Sequence, residues 1–299
     1  NEIIAELFAQ ALEAEGDASA VEMEYRRMIE LEPSCLPLKE RLADHFAANG
    51  QTPAACQMLM DIIACWRDEH DEPNEALRVL RQLQTLDPDN LEVKEQEAVM
   101  LENLDRREQA IGIWRKIAQL HRQQGDGARA AGCLVHCAQL DPDNPRIQLE
   151  TAETFVELGD TAQATQHFLN AIDLYDRLEQ IEPCVEILRR VIALNPGRLD
   201  LRDALARTFE RLGQLEAAAD VWLDLGARLE EEDREHAIQV YTHLGQLLPD
   251  DVESRDRLAR LYEKTNRREP ALQQLRELAR MAARVEDFEA EVLYLQRIL

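Results

Sequence analysis

Between five recurring phrases that end in proline, apolar and polar positions are spaced as on amphipathic helices. The phrases are Leu31-Glu32-Pro33, Leu86-Asp87-Pro88, Leu140-Asp141-Pro142, Leu194-Asn195-Pro196 and Leu247-Leu248-Pro249, with prolines 55, 54, 54 and 53 residues apart. A helix stops at such a phrase because the residue before proline disfavours the α region. After each proline the pattern predicts a short first helix, over 37–49, 91–103, 146–158, 199–212 and 252–265. Gly50, Asp105, Gly159, Gly213 and Asn266 then mark a turn, being residue types that tolerate a left-handed exit.

A longer second helix follows, over 53–69 and 107–124 in the first two full units. Each second helix carries a small residue (Ala55, Ala110, Ala164, Ala218, Ala271) and, four positions on, a large one (Leu59, Trp114, Phe168, Trp222, Leu275). Small and large at i and i+4 share a helix face, so a neighbour approaches at one turn and is met at the next. After a second turn, marked by Asp71 and Gly125 in the first two units, a third helix repeats the device. Its small site holds Ala76, Ala130, Cys184, Ala237 and Ala290, and its large site Leu80, Leu134, Leu188, Tyr241 and Tyr294. The pattern gives units at 34–88, 89–142, 143–196, 197–249 and 250–299. Before them, 1–33 is a partial unit with a helix at 2–15, a turn at Gly16-Asp17 and a helix at 19–31. Neither end carries a polar cap, and the chain is expected to be a fragment of a longer protein.

A 54-residue period means stacked repeats whose apolar faces are covered only by their neighbours. Composition adds the helix type: Ala, Leu, Glu, Gln and Arg dominate and aromatics are 5%. The net charge of −25 argues against nucleic acid and anionic membrane surfaces and favours a basic partner, unless the acidity serves solubility alone. Apart from Lys39, Lys94, Lys116 and Lys264 the basic residues are Arg, as expected of a GC-rich, bacterial genome. Six cysteines without a disulfide spacing, most on apolar faces, suggest a reducing, cytoplasmic compartment. No apolar run is long enough for membrane insertion.

In the second unit, Trp114, Ile117, Ala118, Gly125, Ala130, Leu134 and Pro142 match a sparse, familiar pattern, and the chain resembles the tetratricopeptide repeat family. The small sites at 76, 110, 130, 164, 184, 218, 237 and 271 are spaced 34, 20, 34, 20, 34, 19 and 34 residues, so every second repeat is shortened against the family's 34. The resemblance implies an all-α, right-handed solenoid of about 17 antiparallel helices, covering the whole chain. Three helices per unit depart from the family. Either helix roles alternate between units, or each unit packs as a three-helix block as in armadillo-like solenoids.

Cys133, His136 and Cys137 form the one metal-like cluster, but Cys137 falls on a core site held by Leu83, Val191 and Leu244 elsewhere, so burial is the better reading and no metal is expected. No phosphate loop, nucleophile elbow, zinc helix motif or dinucleotide fingerprint is present, so neither catalytic residues nor cofactors are expected. Glu230-Glu231-Glu232-Asp233 reads as a solvated helix start or, less simply, as a docking patch for a basic segment. The resemblance implies a groove lined by first helices, here Glu40, Asp44, Glu92, Glu95, Glu102, Arg146, Glu153, Asp200, Asp203, Arg207, Glu210, Glu253, Asp256, Arg260 and Glu263. The family's carboxylate clamps use Lys, Arg and Asn at such sites, so this acidic set implies a basic or mixed-charge protein or peptide. Asp203/Arg207 and Asp256/Arg260 also read as surface pairs worth about 0.3–0.5 kcal/mol each. The resulting expectation is a non-enzymatic scaffold or adaptor, of the kind the family supplies to motility, secretion, pilus or signalling machinery. A self-assembling solenoid and an accessory region of a larger enzyme are the alternatives.

Overall fold

The structure is a computed structural model that describes residues 18–69 and 72–299, without the side chains of 68 and 69. The helix expected at 2–15, the turn at Gly16-Asp17 and the turn residue Asp71 lie outside the described residues. The chain divides into two compact units, one ending at Pro142 and the other beginning at Asp143. In the first lie α1 (Ala18–Leu31), α2 (Leu36–Ala48), α3 (Thr52–Ala64), α4 (Pro73–Leu86), α5 (Leu91–Asn103), α6 (Arg107–Gln123) and α7 (Gly127–Leu140). In the second lie α8 (Pro145–Glu157), α9 (Thr161–Arg177), α10 (Glu182–Leu194), α11 (Leu199–Arg211), α12 (Leu215–Glu232), α13 (Arg234–Leu247), α14 (Val252–Lys264), α15 (Arg268–Arg284) and α16 (Phe288–Ile298). Among the described residues there is no strand, and the fold is an all-α, TPR-like array. The second helix expected over 53–69 ends its α-helical course at Ala64 and continues as a π-helical turn, Cys65–Glu69.

Helix ends follow the local chemistry. The leucine of each proline phrase is the last helical residue: Leu31, Leu86, Leu140, Leu194 and Leu247. At the opposite ends, side chains of Asn90, Asp126, Asn144, Asp160, Asp233, Asp251 and Asp287 accept from the first free backbone N–H groups. The turn after every first helix has its residue at positive φ: Gly50 at 73°, Asp105 at 56°, Gly159 at 75°, Gly213 at 71° and Asn266 at 56°. The turn after the second helix does the same with Gly125 at 80°, but with Glu179 at 57° and Glu286 at 59°. Those two glutamates hold a conformation that costs an L-residue about 1–2 kcal/mol.

Packing is between consecutive helices within each unit. Ala55, Ala76, Ala110 and Ala130 are fully buried in the first unit, as are Ala164, Ala218 and Ala237 in the second. Leu59, Leu80 and Leu134, then Phe168, Leu188, Trp222, Tyr241 and Leu275, fill the next turn. Tyr241 is larger than its equivalents Leu80, Leu134 and Leu188. Gly226 makes room for it, because a Cβ there would stand 2.6 Å from the Tyr241 ring.

A second set of contacts runs from each helix to the one after next. In the first unit Arg78 of α4 reaches Glu40 of α2, Arg106 before α6 reaches Asn74 of α4, and His136 of α7 reaches Glu102 of α5. In the second unit Arg190 of α10 reaches Glu153 of α8, Arg211 of α11 reaches Asp176 of α9, and His243 of α13 reaches Glu210 of α11. Further along, Arg257 of α14 reaches Glu230 of α12, Arg267 before α15 reaches Glu235 of α13, and Arg297 of α16 reaches Asp256 of α14. First helices thus touch third helices of their own repeat and second helices of the previous one, while third helices touch second helices of the next. That pattern belongs to a zigzag in which helix roles alternate from repeat to repeat.

Two substitutions test this account. Glu179→Gly should raise stability by about 0.5–1 kcal/mol through relief of the left-handed residue. An unchanged urea midpoint would mean that this turn stores no strain. Gly226→Ala should cost about 1–3 kcal/mol by overpacking, and less in a Tyr241→Leu background. Equal losses in both backgrounds would disconnect Gly226 from the ring.

Candidate partner-binding surface

The first-helix residues expected to line one groove are sorted by the alternating zigzag into different surroundings. In the first unit α2 stands beside α4, and α4 beside the start of α6, whereas α5 stands beside α7. In the second unit α11 stands beside α9 and α13, whereas α14 stands beside α12 and α16. Glu40 and Asp44 therefore do not share a row with Glu92, Glu95 and Glu102. Nor do Asp200, Asp203, Arg207 and Glu210 share one with Glu253, Asp256, Arg260 and Glu263.

Many of these side chains also serve within the fold. One third-helix site, two residues past the large site, reaches back to the first helix of its own repeat in four repeats. Gln82 donates to Asp44, His136 meets Glu102 at 2.9 Å, Arg190 meets Glu153 at 2.7 Å, and His243 meets Glu210 at 2.8 Å. Burial and the nearby negative charge of Glu40 push the Asp44 carboxyl up, against the Gln82 hydrogen bond. In the last repeat Arg297 takes over this task and binds both Asp256 and Glu263.

The second and fourth repeats carry the same three-residue cluster. Trp114 Nε1 donates to Glu102 at 2.5 Å, and its ring meets His136 edge-on at 5.1 Å. Trp222 Nε1 donates to Glu210 at 2.5 Å, and its ring meets His243 edge-on at 5.3 Å. One carboxylate thus accepts from an indole and faces an imidazole in each case. His136 entered the sequence expectation only through the cysteine-rich cluster, and His243 not at all. The signal available was their recurrence beside the tryptophans, at 114 and 136 and again at 222 and 243.

The mixed-sign residues pair locally. Arg207 binds Asp203 at 2.8 Å and Arg260 binds Asp256 at 2.6 Å, each across one helical turn. Asp200 is bound by Arg198, which holds its carboxyl below the usual range. Glu253 is bound by Arg257 at 3.0 Å. Glu253, Asp256 and Arg260 do come together with Glu230, Arg257 and Lys264 around a cleft of about 370 Å³. Its charges are largely satisfied by one another. Arg146 is exposed at the start of α8. His136 of the cysteine-rich cluster is engaged by Glu102, and Cys137 is fully buried.

Glu92 and Glu95 stand apart from the rest. They are exposed on α5 and line an open groove of about 490 Å³ in the first unit. Pro73, Val99, Met100 and Leu104 supply its apolar lining, and Arg67 lines it as well. The combination of a wetted acidic wall with an apolar floor can take a chain that presents both cations and aliphatic groups.

Glu210→Ala should cost about 1–3 kcal/mol, since it leaves the buried Trp222 N–H without its acceptor. Adding Trp222→Phe should recover part of that loss. A urea midpoint shift below about 0.5 kcal/mol, the range of an ordinary surface change, would show that the cluster contributes nothing to the fold.

The chain matches no family model and no curated protein sequence. Solved structures similar to it include MamA, residues 41 to the end, from Desulfovibrio magneticus RS-1. The identity is 20% over 60% of this chain and 96% of that chain, with a TM-score of 0.26. The assembly chaperone of RpL4, Acl4, is similar at 14% identity over 74% of this chain and 99% of that one, with a TM-score of 0.32. The TPR domain of P58(IPK) is similar at 16% identity over 98% and 96%, with a TM-score of 0.23. At these identities and TM-scores the likenesses extend to no partner and no activity.

Proposed function

We propose that this chain is a non-enzymatic scaffold that binds a protein partner of basic or mixed charge, and that the α5 groove holding Glu92 and Glu95 is its docking site. The observation that carries this reading is the contrast between those two glutamates and the other first-helix carboxylates. Glu102, Glu153, Glu210, Asp256 and Glu263 are spent on third-helix partners, whereas Glu92 and Glu95 face solvent over an apolar floor. A net charge of −25 steers a cationic segment towards the chain, and the groove discriminates by adding apolar contact. The six cysteines are free thiols, which fits a reducing compartment. No helix among the described residues is long and apolar enough to cross a membrane.

The test is affinity capture with this chain as bait at low and high salt, followed by titration of the purified captured protein against Glu92→Lys/Glu95→Lys. The expected outcome is salt-sensitive binding that weakens about tenfold or more in the variant, equivalent to about 1.4 kcal/mol. Binding that ignores both salt and the double reversal would remove the groove from the reading. Capture of further copies of this chain alone would favour self-assembly.

A further inference from the structure

The α5 groove of the first unit and the α14 cleft of the second are built from equivalent places of the repeat. Glu92 and Glu253 each stand four residues past a phrase proline, and Arg67 and Glu230 each stand twelve past the small sites Ala55 and Ala218. On that register Glu253, Asp256, Arg257, Arg260 and Lys264 hold the places of Glu92, Glu95, Gln96, Val99 and Asn103. The second unit neutralises its own cleft. Arg257 binds Glu253 at 3.0 Å and Glu230 at 3.3 Å, and Arg260 binds Asp256 at 2.6 Å. The first unit keeps both carboxylates and loses the cations. Gln96 and Val99 stand where those arginines stand, and Val99 is 48% exposed. Among the described residues no cation pairs with Glu92 or Glu95. This groove lies inside the array, with α4 before α5, α6 after it and α7 beside it.

We infer that the α5 groove takes an extended segment of a partner protein that carries two arginines at alternate positions and an aliphatic residue two further on. The inference rests on the α5 groove being the docking site and names what that site reads. The second unit supplies the template, because its own arginines show where cations belong against this pair of carboxylates. They stand three residues apart on one helix, about 4.5 Å along its axis. Side chains two apart in an extended chain share a face at about 6.6 Å, and long guanidinium arms absorb the difference. The aliphatic side chain then falls over Val99. A helical occupant lacks room: a helix about 10 Å across fills roughly 120 Å³ per residue. The groove's volume of about 490 Å³ therefore holds about one turn, which cannot carry a cation pair and an aliphatic side chain a further turn on. Arginine is favoured over lysine because its planar fork meets a carboxylate through two N–H groups. Across the groove Arg67 takes the place of Glu230, so that wall offers no second carboxylate and both cations turn to α5.

The probe is a fluorescein-labelled peptide with Arg-Ser-Arg-Ser-Leu between Gly-Ser flanks, titrated by anisotropy with the whole chain. Its isomer Arg-Arg-Ser-Ser-Leu has the same charge and composition but sets the arginines on opposite faces. The alternating peptide should bind at least about tenfold more tightly than the isomer. Gln96→Arg/Val99→Arg rebuilds the second unit's pairing in the first and should weaken that binding about tenfold or more, with both carboxylates intact. Val99 is exposed and Gln96 half-buried, so the thermal midpoint should hold. Gln109→Arg/Gln123→Arg, an equal charge change at exposed places of α6, should alter binding by less than about twofold. Equal binding of the two peptides would reduce the effect to bulk charge and overturn the inference. So would binding that survives Gln96→Arg/Val99→Arg, because the peptide's cations would then not stand at those places. Absence of peptide binding, with a captured partner still sensitive to Glu92→Lys/Glu95→Lys, would overturn the inference and leave the docking site in place. A captured partner insensitive to that reversal would overturn both.

Discussion

Close approach of consecutive helices at a buried small residue is the constraint on which the rest of this structure depends. Helices of 11–18 residues have little stability of their own, and each is held by the apolar face it shares with its neighbours. Ala110 and Ala218 are fully buried on their second helices, and a larger side chain there would have to push a neighbour away. The large residue one turn on fills the space that curvature opens. Where Tyr241 replaces leucine, the extra volume is absorbed by Gly226 on the opposing helix. At that pair a larger ring is matched by a missing Cβ, which lets the residues change while their spacing is kept.

That packing sets a geometric conflict, and its resolution shapes the surface. A zigzag places alternate helices side by side, so its natural step is two helices, whereas the sequence repeats every three. The same sequence position returns to the same surroundings only after six helices. The Trp–Glu–His clusters have this longer period: Trp114 and Trp222 are 108 residues apart, as are Glu102 and Glu210. The first and third repeats use an acceptor one turn earlier on the first helix, Asp44 and Glu153, for the same third-helix site. Alternation thus divides chemically similar first helices into two kinds, one presenting its carboxylates to an indole and an imidazole, the other to Gln or Arg.

The helices and their ends were legible in the sequence because they depend on local rules. The proline phrases, the Asn and Asp caps and the left-handed turn residues each act within a few positions, and Leu86, Asn90 and Asp105 can be read without a partner in view. The π-helical turn at Cys65–Glu69 was not legible, since the continuous helix pattern there has no breaker. The candidate surface was legible only in part. Glu92 and Glu102 look alike in sequence, both acidic and both on the same first helix. Their difference arises from Trp114 and His136, which approach Glu102 from two other helices and leave Glu92 in solvent. Such a distinction depends on which helix stands two places away, and periodicity alone left that choice open between an alternating zigzag and a three-helix block.

An acidic repeat array is therefore a poor guide to its own binding sites until its internal ties are subtracted. Much of the acidity on the first helices is structural: it closes rows of helices that the apolar core, running between consecutive helices, leaves loosely joined at their outer edges. Arg78, Arg190 and Arg297 do the complementary work from the third helices. Individually such exposed pairs contribute little, about 0–1 kcal/mol, but within each unit they recur between first and third helices. What remains after subtraction departs from the repeat rather than expressing it. Glu92 and Glu95 lack the partners that Glu253, Asp203 and Asp256 have at the equivalent places. In an array stabilised by regularity, a departure that costs solubility or leaves charge unpaired serves something outside the array. That argument ranks the α5 groove of the first unit above the cleft around Glu253 and Asp256 in the second.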